Sequence, residues 1–213
     1  MNIQKLMDDS HRISKEHGWL EDPRPYDEIT ALFHSELSEA LEDYRSNHSV
    51  TEIYYEVKLI TTGFHGTKSV GLEELEVLKK ADGIAGTPKP CGIPIELADF
   101  IIRIAQYCGT NNWDLEKAVN SFSESLDGAV LGPKGFGEIL ALLHADISLS
   151  YLASIKALPD QDELGTHPLT LLASAWFTTF AFCKVNGIDL DKAIAEKQAY
   201  NETRSYRHGG KLC

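Results

Sequence analysis

"DEITALFHSELSEALEDYR" (residues 27–45) decides how the rest of the chain is read. At about 100° per residue, Ile29, Phe33, Leu37, Ala40 and Tyr44 fall on one stripe, the pattern of an amphipathic helix. Glu36 lies inside that stripe and Glu39 at its edge. A carboxylate on an apolar face is costly unless something pairs with it. Glu36 is therefore the first sign of chemistry in the sequence.

A second helical segment, "GIPIELADFIIRIAQYC" (92–108), supplies a partner. Its apolar residues, from Ile95 to Ala105, are spread around most of the wheel, so it should be largely buried. One narrow strip is polar: Glu96, Asp99, Arg103 and Gln106. Glu96 and Asp99 are three residues apart, about 5–6 Å at Cβ, and Glu36 and Glu39 share that spacing. Two such helices packed side by side bring four carboxylates into one pocket. Like charges that close cannot all stay ionised without cations. A set of hard oxygen ligands suits Mg²⁺, with Mn²⁺ as the alternative, rather than zinc. An E-x-x-E alone reads better as a solvated face; two acid pairs on or beside buried faces do not.

Helical periodicity predicts helices over 1–17, 26–46, 71–81, 93–109, 114–126, 135–157, 167–186 and 189–203. "EDPRP" (21–25), "GTPKPCGIP" (86–94), "GPKG" (132–135) and "LPDQDELGTHP" (158–168) separate them. Pro94 suits a first helical turn, and Asp114 and Asp189 suit N-caps. "TEIYYEVKLITTG" (51–63) is the only stretch that reads as β; it begins a glycine-rich insertion over about 46–92.

The chain also repeats itself. "CGTNNWDLEKAV" (108–119) matches "CKVNGIDLDKAI" (183–194), and "DEITALFHSELSEAL" (27–41) matches "GEILALLHADISLSY" (137–151). Each half reads as a helix pair plus a capping helix, and the two together complete a bundle. In the second half Asp146 stands for Glu36, Leu149 for Glu39, Leu171 for Glu96 and Ser174 for Asp99. The acids are erased while the apolar pattern persists, so Leu171 and Ser174 should fill the vacant counterpart as core. His34 matches His144 and reads as structural rather than as a ligand.

The C-terminus, "EKQAYNETRSYRHGGKLC" (196–213), carries the opposite charge. Lys197, Asn201 and Arg204 share one helical face, and Arg207 and Lys211 follow. Opposite a metal-filled acidic pocket, such a tail suits a phosphate chain.

Composition narrows the classes. The 213 residues are 43% hydrophobic, enough for a sizeable core. A net charge of −12 without a basic run argues against nucleic acid as a partner. No signal peptide and no apolar run of membrane-spanning length is read, so the expectation is a cytoplasmic protein with no membrane partner. Cys91, Cys108, Cys183 and Cys213 show no metal-site spacing and read as reduced thiols.

These segments resemble the MazG-like, all-α nucleoside triphosphate pyrophosphohydrolases. The resemblance rests on "EHGWLEDPRPYDEI" (16–29), "HSELSEALEDYR" (34–45), "GIPIELADFIIRI" (92–104) and "YNETRSYRHGGK" (200–211). It implies an all-α bundle, here internally duplicated as a pseudo-dimer. Residues 1–130 form the acid-bearing half with the insertion; residues 131–213 form a degenerate second half carrying the basic tail. It implies Mg²⁺ held by Glu36, Glu39, Glu96 and Asp99, and cleavage of a nucleoside triphosphate between its α- and β-phosphates to a monophosphate and pyrophosphate. Glu39, then Glu36, is the candidate general base. Lys197, Asn201, Arg204, Arg207 and Lys211 would bind the phosphates or sugar, and Trp19 or Tyr26 would stack on the base. The long insertion and the acid-poor half depart from the family pattern, and a homodimer of duplicated chains is one assembly it allows. A dUTP- or dUDP-type hydrolase of the same superfamily and a non-catalytic nucleotide-binding scaffold are the alternatives. A di-iron bundle fits less well, because its Glu-x-x-His pairs are missing.

Overall fold

The computed structural model describes residues 1–60, 66–125, 135–157 and 167–209. It is mainly helical, 67% helix, with one small sheet. The order is α1 (Ile3–Glu16), α2 (Tyr26–Arg45), β1 (Tyr54–Leu59), β2 (Thr67–Val70), α3 (Leu72–Lys80), β3 (Ile84–Cys91), α4 (Ile93–Thr110), α5 (Leu115–Ser125), α6 (Phe136–Ser154), α7 (Pro168–Asn186) and α8 (Leu190–Glu202). A 3₁₀ turn at Tyr206–Gly209 follows.

The helix boundaries follow local chemistry. Asn2 caps α1 by accepting from the Lys5 amide at 2.8 Å. Asp114 and Asp189 accept from the amides of Lys117 at 2.9 Å and Lys192 at 3.0 Å. Pro94 and Pro168 sit in first turns, where their missing N–H costs nothing. Gly187 ends α7 in the left-handed region at φ 70°.

Helix α4 is the axis of the molecule. Ile95, Leu97, Ala98, Phe100, Ile101, Ile104 and Ala105 are all 0% exposed, as its apolar circumference requires. It packs against α1, α2, α7 and α8. Helix α7 packs against α6 and α5, and α2 meets α6. One continuous core joins residues of both halves, with Phe33 and Phe100 edge to face near its centre.

The insertion holds more sheet than its sequence suggested. The strands are antiparallel in the order β2-β1-β3, with an irregularity in β1 between Glu56 and Lys58. β2 has only four residues, and β3, "IAGTPKPC", carries glycine and two prolines. Prolines are tolerated there because β3 is an edge strand. Val57, Val70 and Leu75 form a separate small core between the sheet and α3. Tyr55 anchors the sheet to α8 by donating to Glu196 at 2.6 Å. β3 runs directly into Gly92 and α4. Gly92 has φ 114°, and a Cβ there would strike the Glu52 carbonyl, so glycine is required.

Two expectations change. Helices α6 and α7 do reach membrane-spanning length and hydropathy by length and composition; both pack into the bundle, 39% and 50% buried over those windows. The counterpart of the acid strip is not filled as core. Leu149 is 38% exposed, and Leu171 and Ser174 are only half-buried, because these positions face outward from α6 and the start of α7.

Candidate metal centre

Helices α2, α4 and α8 converge on one charged cluster inside the core. Glu36 from α2 and Glu96 and Asp99 from α4 are 3%, 4% and 7% exposed. Glu39, one turn after Glu36, stands exposed at the edge and is 3.5 Å from the Ser35 hydroxyl. One carboxylate oxygen each from Glu36, Glu39 and Glu96 lies within 4.8 Å of the others. That spacing suits oxygen ligands around one hard divalent ion.

The cluster contains its own cations. The Arg103 Nε–H donates to Glu36 Oε1 at 2.6 Å. The Lys197 ammonium, on α8, lies 3.0 Å from Asp99 Oδ2 and 4.0 Å from Glu96 Oε2. Lys197 and Asn201 are 5% and 6% exposed. Two buried oxygens, Glu96 Oε2 and Asn201 Oδ1, have no hydrogen-bond partner. Buried oxygens without donors are costly, and a cation is the ligand that satisfies them.

Burial sets the protonation pattern. It pushes the Glu36 carboxyl up to about 8, with the Asp99 charge adding to the effect against Arg103. It also pushes Glu96 up to about 7. Burial would raise Asp99 too, but Lys197 and Arg103 overcome it and hold the carboxyl down at about 2. Asp99 also accepts a hydrogen bond from Glu36. Without metal, Glu36 therefore keeps its proton and Asp99 its charge. Burial opposes the charge on Lys197, yet Asp99 and Glu96 raise it above its usual range.

This pattern gives a prediction for the metal-free protein. Glu36 and Glu96 titrate near 4.5 when unfolded and near 8 and 7 when folded. Over that interval the folded state binds more protons, so stability is highest below the interval and falls as pH rises through it. Below pH 6.5 the His34 and His144 rings, lowered by burial, act in the opposite direction, so the test window is above it: thermal midpoints in EDTA should fall from pH 6.5 to pH 8, and Mg²⁺ should flatten the decline. A midpoint that rises over that range in EDTA would contradict the assignment.

Beside the acids lies a cavity of about 230 Å³, lined by Trp19, Arg24, Phe33, Arg103, Gln106 and Tyr107 among others. Arg103 belongs to both sites, lining the cavity while it holds Glu36. The tail closes over the cavity's rim. The Arg204 guanidinium lies 5.9 Å from the Trp19 ring centroid. Tyr206 donates to Glu21, and Arg207 pairs with Glu21 at 2.6 Å and Asp22 at 3.0 Å. Gly18, at φ 71°, lets Tyr206 lie against the backbone, since a Cβ there would meet the phenol ring at 2.5 Å.

The sequence-derived residues thus separate. Glu36, Glu39, Glu96, Asp99, Lys197 and Asn201 come together. Arg204 and Trp19 meet at the neighbouring cavity, while Arg207 is committed to Glu21 and Asp22 rather than presented to the acids. Lys211 lies outside the described residues. Tyr26 stacks on Tyr107 at 4.9 Å, and its hydroxyl is 2.8 Å from Ser150 Oγ, so it packs the bundle rather than stacking on a base. Two further residues belong to the site. Arg103 stands on the polar strip of α4, but spacing alone does not show that it meets Glu36. Lys89, on β3, is opposed by burial and raised by Cys91, Glu56 and Glu96; the insertion hid its proximity.

No protein-family model, curated protein or solved structure matches the chain.

Proposed function

We propose that this protein is a Mg²⁺-dependent nucleoside triphosphate pyrophosphohydrolase of MazG-like type, releasing a monophosphate and pyrophosphate. The observation that carries the reading is the triad Glu36, Glu39 and Glu96, two buried acids and one at the surface, beside the cavity of Trp19 and Arg103; among its oxygens is the buried Glu96 Oε2, which has no hydrogen-bond donor. Glu36, Glu39 and Glu96 would hold the ion. When bound, Mg²⁺ supplies charge neutralisation for phosphate oxygens and activation of water.

The chain's own residues do the rest. Glu39 is the only acid of the triad open to solvent, so it is the group placed to take a proton from attacking water. Arg103 holds Glu36 in place and faces the cavity, where it stabilises negative charge on the substrate. Trp19 offers a flat apolar surface to a base, backed by Arg204. The buried Asn201 Oδ1 accepts from a sugar hydroxyl or helps hold the cation.

Internal duplication belongs to the same reading, with one site built from both halves. Helix α2 lies on α4 as α6 lies on α7, and α8 lies on α4 as α5 lies on α7. His34 and His144, matched in sequence, stack with Nδ1 atoms 2.7 Å apart. Equivalent residues meet in this way at a two-fold axis. Asp146 is hydrogen-bonded to Ser174, as Glu36 is to Asp99. Asp146→Asn should leave turnover unchanged, since no acid cluster surrounds it among the described residues.

Trp19→Ala and Arg204→Ala should each weaken binding of a non-hydrolysable nucleoside triphosphate, by about 1–3 kcal/mol for the lost stacking surface of Trp19. Mg²⁺ binding should be unchanged in both. Calorimetry measures the two separately. Unaltered nucleotide affinity in both variants would remove the cavity from the site. EDTA should abolish hydrolysis, and Mg²⁺ or Mn²⁺ should restore it.

A further inference from the structure

We propose that Lys197 is a built-in cation that occupies the Asp99 side of the acidic pocket and limits it to one divalent ion per chain. The inference rests on the metal reading above and goes further, because it gives Lys197 a different task from the phosphate binding its sequence position suggested.

Four acids converge here, but they are not equivalent. Oxygens of Glu36, Glu39 and Glu96 cluster within 4.8 Å, and Asp99 stands outside that set. Its Oδ2 is engaged by the Lys197 ammonium at 3.0 Å. Lys197 is 5% exposed, as deeply enclosed as the acids, so its stem does not carry the charge out to water as surface lysines do. Moving it towards a phosphate would leave Asp99 buried without a partner, which is expensive. On the other side, Glu96 Oε2 is 4.0 Å from the ammonium, too far for a hydrogen bond, and has no donor of its own. The pocket has one half already neutralised and one half open.

The charges agree. With all four carboxylates ionised, Arg103 and Lys197 leave two negative charges, which one divalent ion neutralises. A second ion would overcharge a buried site, and Lys89 near Glu96 makes it still less favourable.

The repeat supplies an independent comparison. The position that matches Lys197 in the first half is Phe122. It packs against the main core, on the helix that faces α7, where Leu171 and Ser174 replace the acids. A lysine is present where its partner helix carries Asp99, and an aromatic ring where that position is Ser174.

Mn²⁺ titration of the full-length, metal-free protein tests this, with free Mn²⁺ counted by electron paramagnetic resonance and nucleotide omitted. The wild type should bind one Mn²⁺ per chain, without the spectral signature of a coupled Mn²⁺ pair. Lys197→Arg, which keeps the charge, should also bind one. Lys197→Met, which vacates the Asp99 side, should bind two and show the coupled pair. Two ions in the wild type would overturn the proposal while leaving the metal reading intact. No ion in the wild type would overturn both, starting with the metal reading. If Lys197→Met does not fold, Lys197→Gln, which removes the charge but keeps a donor for Asp99, takes its place: two ions support the proposal and one overturns it. One ion in a folded Lys197→Met protein would also overturn it.

Discussion

Glu96→Leu is expected to abolish turnover and to make the metal-free protein more stable. Glu96 places a buried carboxylate oxygen where it has no donor, and an unsatisfied buried group costs about 1–3 kcal/mol. Leucine is what the second half carries at the matching position, Leu171. The gain in unfolding free energy should be of that order, read in EDTA at pH 7. Turnover should fall by roughly a hundredfold or more, as losses around a metal centre do. Glu36→Ala and Glu39→Ala should lose activity to a similar extent. Asp99 behaves differently from the simple expectation that removing any of the four acids relieves crowding. Asp99→Ala would strand the buried Lys197 and should destabilise the protein. Near wild-type turnover in any two of Glu36→Ala, Glu39→Ala and Glu96→Leu would remove the metal site. A lower midpoint for Glu96→Leu would show that the lysine relies on Glu96 as well as Asp99.

Arg103→Ala is expected to cost about 3–5 kcal/mol, the penalty for taking a cation away from a buried cluster in which Asp99 stays charged and Glu36 loses its donor. Arg103 donates to Glu36 at 2.6 Å and is raised further by Asp99, so its loss leaves both acids facing each other with Lys197 as the remaining close cation. The double variant Glu36→Leu with Arg103→Leu should recover most of the loss, because two apolar groups of similar volume need no neutralisation. The cycle should report a coupling of about 1–3 kcal/mol by denaturant unfolding. A cost under about 1 kcal/mol for Arg103→Ala would mean that the pair behaves like one at the surface.

Much of this architecture was legible in the sequence, for physical reasons. Helices α1 to α5 carry clear 3.6-residue periodicity, α6 and α7 are apolar runs bounded by glycine and proline breakers, and Asp114 and Asp189 cap α5 and α8, so the helix boundaries lie within a few residues of those read from the sequence. The acids were legible because a carboxylate on a buried stripe contradicts its surroundings. Of the sheet only the central strand β1 was legible, inside the stretch 51–63. The edge strand β3 carries two prolines and the other edge, β2, has four residues, so neither shows an alternating run. Nor was the way the cations divide their work legible. Spacing put Lys197, Asn201 and Arg204 on one face, but depth decides their partners. Lys197 reaches the acids, Arg204 lies on Trp19 beyond the end of α8, and Arg207 ties the tail to Glu21 and Asp22. The outward placement of Leu149 was also hidden, since a leucine signals burial only when its neighbours cover it.

The most direct test of the central claim is to incubate the purified chain with Mg²⁺ and a panel of nucleoside triphosphates and diphosphates, and to resolve the products. The account predicts Mg²⁺-dependent release of the monophosphate together with pyrophosphate in equal amounts from at least one triphosphate. Release of orthophosphate and a diphosphate instead, or no hydrolysis of any nucleotide at saturating Mg²⁺ by a folded protein, would contradict it.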